Sequence, residues 1–307
     1  MADHQYEFTV VGMCEALEVS SSGYYDWNRR KLEGPTKAQT YREELKERIT
    51  QFFHQSLGTY GAPRIRKDLS EAGYDVTERM VGRLMAEMGL RACPPERYVT
   101  TTDSDHSLPV YPDLLRQDFE TDQSNKVWVS DITYIWTAEG WVYLSAVMDL
   151  FSRKIVGWEA THHLRTEGPL AALEMAIVFR QPEKGLIHHS DRGSQYASKD
   201  YVAVLRRIEA RVSMSRKGNP YDNACMESFF ATLKKEFVYR RYFKTEAEAI
   251  HRINWFISAF YNPIRRHSHN GNLSPDRFEQ IHETIQKNSS LPKQILFQCP
   301  FSLVGVH

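Results

Sequence analysis

The run Val127-Trp128-Val129-Ser130-Asp131-Ile132-Thr133-Tyr134-Ile135-Trp136 decides how this chain is read. β-branched and aromatic residues dominate it, as expected of a strand on a half-buried, pleated surface. Asp131 interrupts the run in mid-strand, where an unpaired buried charge is costly, so this carboxylate needs an explanation. Two more runs of the same character, 141–150 and 154–160, follow after short turns and predict neighbouring antiparallel strands. A helix over 169–179 comes next, with Leu170, Leu173, Ile177 and Val178 at helical spacing. Then come a strand over 186–190, a helix over 198–208, a strand over 211–215 and a long helix over 224–240. Three strands, helix, strand, helix, strand, helix predicts an α/β fold, a mixed five-stranded sheet covered by helices on both faces.

Upstream, residues 1–92 read as helical, with two short-helix pairs. The first joins 11–17 to 21–30, with Ser20 as N-cap. In the second, Pro63 occupies a first turn, Gly73 closes the helix, Thr77 caps the next and Gly89 ends it. Two helices with a short connection satisfy the needs of a helix-turn-helix, placing Arg64, Arg66, Lys67, Arg79 and Arg83 to meet DNA. A hairpin used for packing or dimerisation has the same pattern. Residues 93–124 hold Pro94, Pro95, Pro109 and Pro112 with little periodicity and read as an extended linker. The sheet domain is expected over 125–245, and a helical tail over 246–307.

Composition excludes some classes. No stretch of about 18 apolar residues occurs, which argues against a membrane span. Met1-Ala2-Asp3-His4-Gln5 lacks the basic and apolar regions of a signal peptide. The four cysteines (Cys14, Cys93, Cys225, Cys299) lie far apart, which suits a reducing cytoplasm and neither a zinc ribbon nor a disulfide framework. Formal net charge is +0, but residues 206–244 carry ten bases against four acids. Such a stripe is either a phosphate-facing surface or a solvated helix face. On the first reading Arg216, Lys217, Lys234 and Lys235 contact DNA, as do Arg265 and Arg266 in the tail.

Two more acids join Asp131. Asp191 follows the fourth strand, at the carboxyl end where open α/β sheets bind ligands. Glu227 lies in the first turn of the long helix, bordering the apolar stripe of Met226, Phe229, Phe230, Leu233 and Phe237. Spacing alone proves nothing, because Asp103/Glu139, Asp131/Glu167 and Asp200/Glu236 repeat the 35-residue interval of Asp191/Glu227. If the three acids converge, like charges a few ångströms apart require a cation to stay ionised together. Hard oxygen donors without Cys or paired His select Mg²⁺ or Mn²⁺, two of which serve an in-line displacement at phosphorus. Lys234, about 10.5 Å further along the same helical face as Glu227, is placed to grip a neighbouring phosphate. His188 and His189 read as structural, one pointing inward and one outward. Trp255, Phe256, Phe260 and Tyr261 fall at core-like helical spacing.

Several motifs resemble one family. Asn125-Lys126-Val127-Trp128 leading into Ser130-Asp131-Ile132-Thr133-Tyr134-Ile135 is similar to the first active-site strand of the retroviral-integrase-like transposases of bacterial insertion sequences. His189-Ser190-Asp191-Arg192-Gly193-Ser194-Gln195-Tyr196 resembles its second motif, and Gly218-Asn219-Pro220-Tyr221-Asp222-Asn223-Ala224 through Glu227-Ser228-Phe229-Phe230 and Lys234 its third. Tyr261-Asn262 through Arg265-Arg266-His267 to Ser274-Pro275 is similar to the family's close, and Gly58-Thr59-Tyr60-Gly61-Ala62-Pro63-Arg64-Ile65 to its helix-turn-helix. The resemblance implies an RNase H-like core holding two Mg²⁺ or Mn²⁺ ions on Asp131, Asp191 and Glu227. It implies cleavage at the element's terminal repeats and attack by the freed 3′-OH on another strand. It further implies a second-frame product that works as a homo-oligomer on DNA, with or fused to an upstream-frame protein, in the cytoplasm at the nucleoid. Alternatives are a hydrolysis-only nuclease of the same fold and an inactive DNA-binding regulator. Two departures stand out: Ser130 where Thr is common, and Asn270 where the tail usually has Leu.

Overall fold

The computed structural model describes residues 1, 4, 6–92, 109–216 and 220–290. It forms two compact units, Met1–Ala92 and Cys93–His307.

In the first unit, α1 (Val10–Ala16) and α2 (Ser21–Glu33) begin at Thr9 and Ser20, whose hydroxyls accept the backbone N–H of Gly12 and Gly23. The expected second pair is present as α4 (Ala62–Glu71) and α5 (Glu78–Glu87), with Pro63 in the first turn of one and Thr77 capping the other. Between the pairs lies a helix that the punctuation did not single out, α3 (Lys37–Gln55), which opens on a Thr36/Gln39 capping box. Its Leu45 and Ile49 pack with Tyr60, Ile65, Leu69, Val81, Leu84 and Met85 in one core. Tyr60 of the Gly-Thr-Tyr-Gly motif is therefore a core residue, and Arg64 lies 5.2 Å over its ring.

The second unit is built on β1 (Val127–Thr137), β2 (Gly140–Asp149), β3 (Lys154–Thr161), β4 (Ile187–Ser190) and β5 (Arg211–Met214), in spatial order β3-β2-β1-β4-β5. β1, β2 and β3 pair antiparallel, while β4 and β5 run parallel to β1. This mixed sheet, flanked by helices, is the RNase H-like arrangement. α6 (Glu167–Arg180) and α7 (Lys199–Arg207) cover the face carrying Trp128, which is fully buried with Val147, Val156, Leu173 and Tyr201. α6 crosses β3 so closely that a Cβ at Gly157 would lie 2.1 Å from the Ala172 carbonyl oxygen.

The other face belongs to α8 (Ala224–Glu236) and α9 (Glu246–Trp255). The long helix expected to 240 stops at Glu236. Phe237 leaves helical geometry (φ −131°, ψ −60°) to bury its ring against Phe256, and a short 3₁₀ turn, Val238–Arg240, follows. A π-helical stretch, Phe256–Tyr261, then sets Phe256, Phe260 and Tyr261 in the core while Trp255 stays partly exposed.

The tail motif explains itself here. Asn262 accepts the Ile155 N–H at 3.0 Å and donates to its carbonyl at 2.9 Å, so one amide side chain pairs with the free edge of β3. α10 (Pro275–Ser290) brings Glu279 to Arg180, whose guanidinium also bonds Asp149 and Asn125. Asn270, the departure from the family pattern, is buried and donates to the Ser152 carbonyl.

Gly157→Ala is expected to lower unfolding stability by roughly 3 kcal/mol, the upper end of overpacking, because backbone atoms oppose the new methyl. Urea denaturation of the two chains measures it, and an unchanged midpoint contradicts the close helix–sheet approach.

Candidate active site

The parallel pairing of β1 with β4 ends at Ser130 opposite Ser190, so Asp131 follows on β1 and Asp191 is the first residue beyond β4. In-register parallel neighbours point their side chains to the same face, across a spacing of about 4.8 Å. The strand register brings the two acids, 60 sequence positions apart, close enough for the charge of Asp191 to act on Asp131. Each is half-buried. One carboxylate oxygen of Asp131 accepts the N–H of Ile132 at 2.7 Å, and one of Asp191 accepts the N–H of Gly193 at 2.9 Å. Loss of hydration, then the charge of Asp191, then that of Glu227, holds the Asp131 carboxyl well above the usual carboxylate range.

Glu227, in the first turn of α8, is half-buried, and its carboxyl is raised by burial. It acts on Asp131 more weakly than Asp191 does. Lys234, two turns on, feels the charge of Asp131, while partial burial lowers its ammonium below the ordinary range. Its Nζ sits 4.9 Å over the ring of Tyr134. Among the described residues, no group of three or more His, Cys, Asp or Glu side chains is arranged to hold a metal ion.

Asp222, before α8, is an anchor that the charge pattern did not reveal. Its carboxylate accepts the backbone N–H of Arg216 at 2.8 Å, the Arg216 Nε and Nη2 at 3.0 and 2.9 Å, and the Gln117 amide at 3.1 Å. The guanidinium holds this carboxyl far below its ordinary value. The clamp ties the end of β5 to the start of α8, and so positions Glu227. The signal was available in the Asn-Pro-Tyr-Asp-Asn motif, whose one acid stands four residues after Gly218.

Some expected contacts are corrected by the geometry. Arg265 is buried in a two-point pair with Glu236, at 2.7 Å for both bonds. Arg266 is also buried and donates to the Asn272 carbonyl. Both hold the tail together and neither presents a surface to DNA. Arg216 is engaged by Asp222 although it remains accessible. Lys235 is half-buried; Arg66, Lys67, Arg79 and Arg83 are exposed in the first unit, and Arg64 is half-buried. Lys217 lies outside the described residues. The paired histidines are both buried, not one in and one out, because helices cover both faces of the sheet. His188 bonds Ser130 at 2.8 Å and Tyr201 at 3.0 Å; His189 bonds Ser213 and Ser215. Ser130, where Thr is common in the family pattern, thus serves as a partner for His188.

Comparison with known proteins gives the same frame. Residues 121–220 and 209–275 match integrase core domain families, and residues 40–98 match an HTH-like domain family. The 31 kDa protein of insertion element IS600 from Shigella sonnei is 42% identical over 272 residues, covering 88% of this chain and 99% of its own length. Transposase InsF for insertion sequence IS3A from Escherichia coli K12 is 40% identical over 276 residues, covering 90% of this chain and 96% of its own. Among solved structures, the HTLV-2 integrase catalytic core domain in complex with magnesium aligns at 15% identity with a TM-score of 0.38, over 50% of this chain and 94% of that one.

Two opposite pH effects follow from the site. Burial holds His188 at about 3 and lowers His189, so both stay neutral in the fold and take up protons on unfolding. Stability present above about pH 6.5 is therefore lost as pH falls towards 3, by about 2 kcal/mol at pH 5 for His188 alone. Asp131 works the other way, its charge destabilising the fold near neutral pH. Asp131→Asn is expected to raise the unfolding free energy of the metal-free chain at pH 7 by ~1–2 kcal/mol. A variant less stable than the parent contradicts repulsion at this site.

Proposed function

The chain belongs to the integrase-core transposases of insertion sequences, and on that premise we propose that it cuts DNA at element ends and joins the freed 3′-OH to a target strand. The observation that carries this reading is the placement of Asp131 beside Asp191 by the β1–β4 register, within reach of the charge on Glu227. The residues fit a divalent cation. Their donors are hard carboxylate oxygens, and burial with the charges of Asp191 and Glu227 raises the Asp131 carboxyl. When bound, Mg²⁺ or Mn²⁺ supplies a lowered pKa for the attacking oxygen and charge stabilisation for the leaving one.

The chain's own groups supply positioning. Asp131 is held within β1 by the Ile132 N–H, and Asp191, just beyond β4, by the Gly193 N–H. Glu227 enters from a different element, α8, held at its start by the Asp222–Arg216 clamp. Lys234 provides a cationic donor on the same helix for a phosphate oxygen beside the reacting one. In the first unit, Arg66, Lys67, Arg79 and Arg83 are exposed on or beside α4 and α5 and serve duplex recognition at the element's ends. Assembly of several copies on DNA, and cooperation with an upstream-frame protein, belong to the same reading.

Glu227→Gln tests the role of the carboxylate with its volume kept. On a labelled duplex bearing an element end, with Mg²⁺ or Mn²⁺, strand joining should fall by at least ~10²-fold while duplex binding stays within about twofold. Joining at the parent rate removes Glu227 from the site. Shortened products without joining from the parent chain indicate a nuclease instead, and binding without any product a regulator.

A further inference from the structure

The tip of the β1–β2 hairpin faces the 3₁₀ turn after α8 across a cavity of about 310 Å³. Tyr134, Trp136, Trp141, Tyr242, Lys234 and Arg241 are among its walls. Four aromatic rings at one spot are unusual for their exposure: Trp136 is 58% and Tyr242 72% accessible. Trp136 and Trp141 are direct cross-strand partners, with ring centroids 5.0 Å apart and planes at 72°, and Tyr134 meets Trp141 edge-on at 5.2 Å. One aromatic pair suffices to brace a hairpin, so the remaining rings call for another occupant.

The walls are tied together. The Ala138 N–H at the hairpin tip donates to the Phe243 carbonyl at 3.0 Å, and the Glu246 N–H at the start of α9 donates to Glu139 at 2.9 Å. The cavity is thus built into the fold. Its rim is positive: Arg241 stacks over Phe237 at 3.9 Å, and partial burial together with the charges of Arg240 and Arg252 lowers its guanidinium, the signature of crowded like charges. Lys234 belongs both to this rim and to the electrostatic neighbourhood of Asp131. Tyr134 lies three residues beyond Asp131 on the same strand, about 10 Å away by strand rise.

We propose that this cavity holds an unpaired nucleotide of the DNA strand, its base stacked on Trp136, Trp141 and Tyr242 and its phosphates drawn by Arg241 and Lys234. Aromatic faces beside cations are the combination that binds single strands regardless of sequence, because every base has a π face and every link a negative charge. The site would stabilise a frayed end a short distance from the carboxylates, and in that respect it rests on the proposed DNA chemistry.

The test uses the full chain and two labelled probes, a short oligothymidylate and a fully paired duplex of equal length, read by fluorescence anisotropy. Trp136→Ala and Trp141→Ala should each weaken oligothymidylate binding by roughly 10-fold and leave duplex binding unchanged, while Trp141→Tyr stays near the parent. Both rings are partly exposed, so neither change threatens folding. Unaltered oligothymidylate binding, or equal losses on both probes, overturns the proposal. A joining assay on paired and pre-frayed ends separates it from the reading on which it rests. Variants that join both substrates as the parent does remove the pocket and keep the transposase. A parent that stacks the single strand through these tryptophans yet joins nothing removes the transposase and keeps the pocket.

Discussion

Two carboxylates fixed side by side on parallel strands are the constraint on which the rest of the catalytic unit depends. At a spacing of ~5 Å and an effective dielectric near 20, two unit charges repel by about 3 kcal/mol, a large share of a domain's net stability. A flexible site would relieve this by letting the side chains part. Here the β1–β4 register and the N–H groups of Ile132 and Gly193 fix both Asp131 and Asp191. Packing around Trp128 holds the register in turn, since a slip of one residue would exchange the two faces of β1. The repulsion is therefore retained by the fold.

The remaining elements read as support for that arrangement. Asp222 takes four hydrogen bonds and thereby fixes the approach to α8, from which Glu227 and Lys234 project. Asn262 closes the free edge of β3 with one amide, and Glu279 draws α10 onto the sheet through Arg180. These polar side chains in the tail resemble DNA contacts only as long as their partners are unseen. Arg265 shows the point: a bidentate, buried pair with Glu236 leaves no donor geometry for a phosphate outside.

Much of this was legible in the sequence. The five strands, their order along the chain and the helices between them followed from β-branched runs, alternation and capping residues. The positions of Asp131 and Asp191 followed from a charge inside an apolar strand and an acid at a strand end. Three things were not legible, for physical reasons. Helix α3 opens just after Gly34-Pro35, and its capping box needs the Thr36–Gln39 pairing to be noticed. Phe237 ends α8 because a distant aromatic cluster claims its ring, a tertiary effect invisible to helical periodicity. The two histidines were assigned opposite faces correctly, but a sheet covered on both sides buries them both. The basic stripe was visible as charge, yet which cations are internal and which face outward is decided by partners tens of residues away.

Calorimetric titration of the full chain with Mn²⁺, beside its Asp131→Asn variant, tests the central claim most directly. If the paired carboxylates are a cation site under electrostatic stress, the parent binds Mn²⁺ and the variant loses that binding. Equal Mn²⁺ binding by the two chains would contradict the account, and would move the ion away from the carboxylates that the strand register brings together.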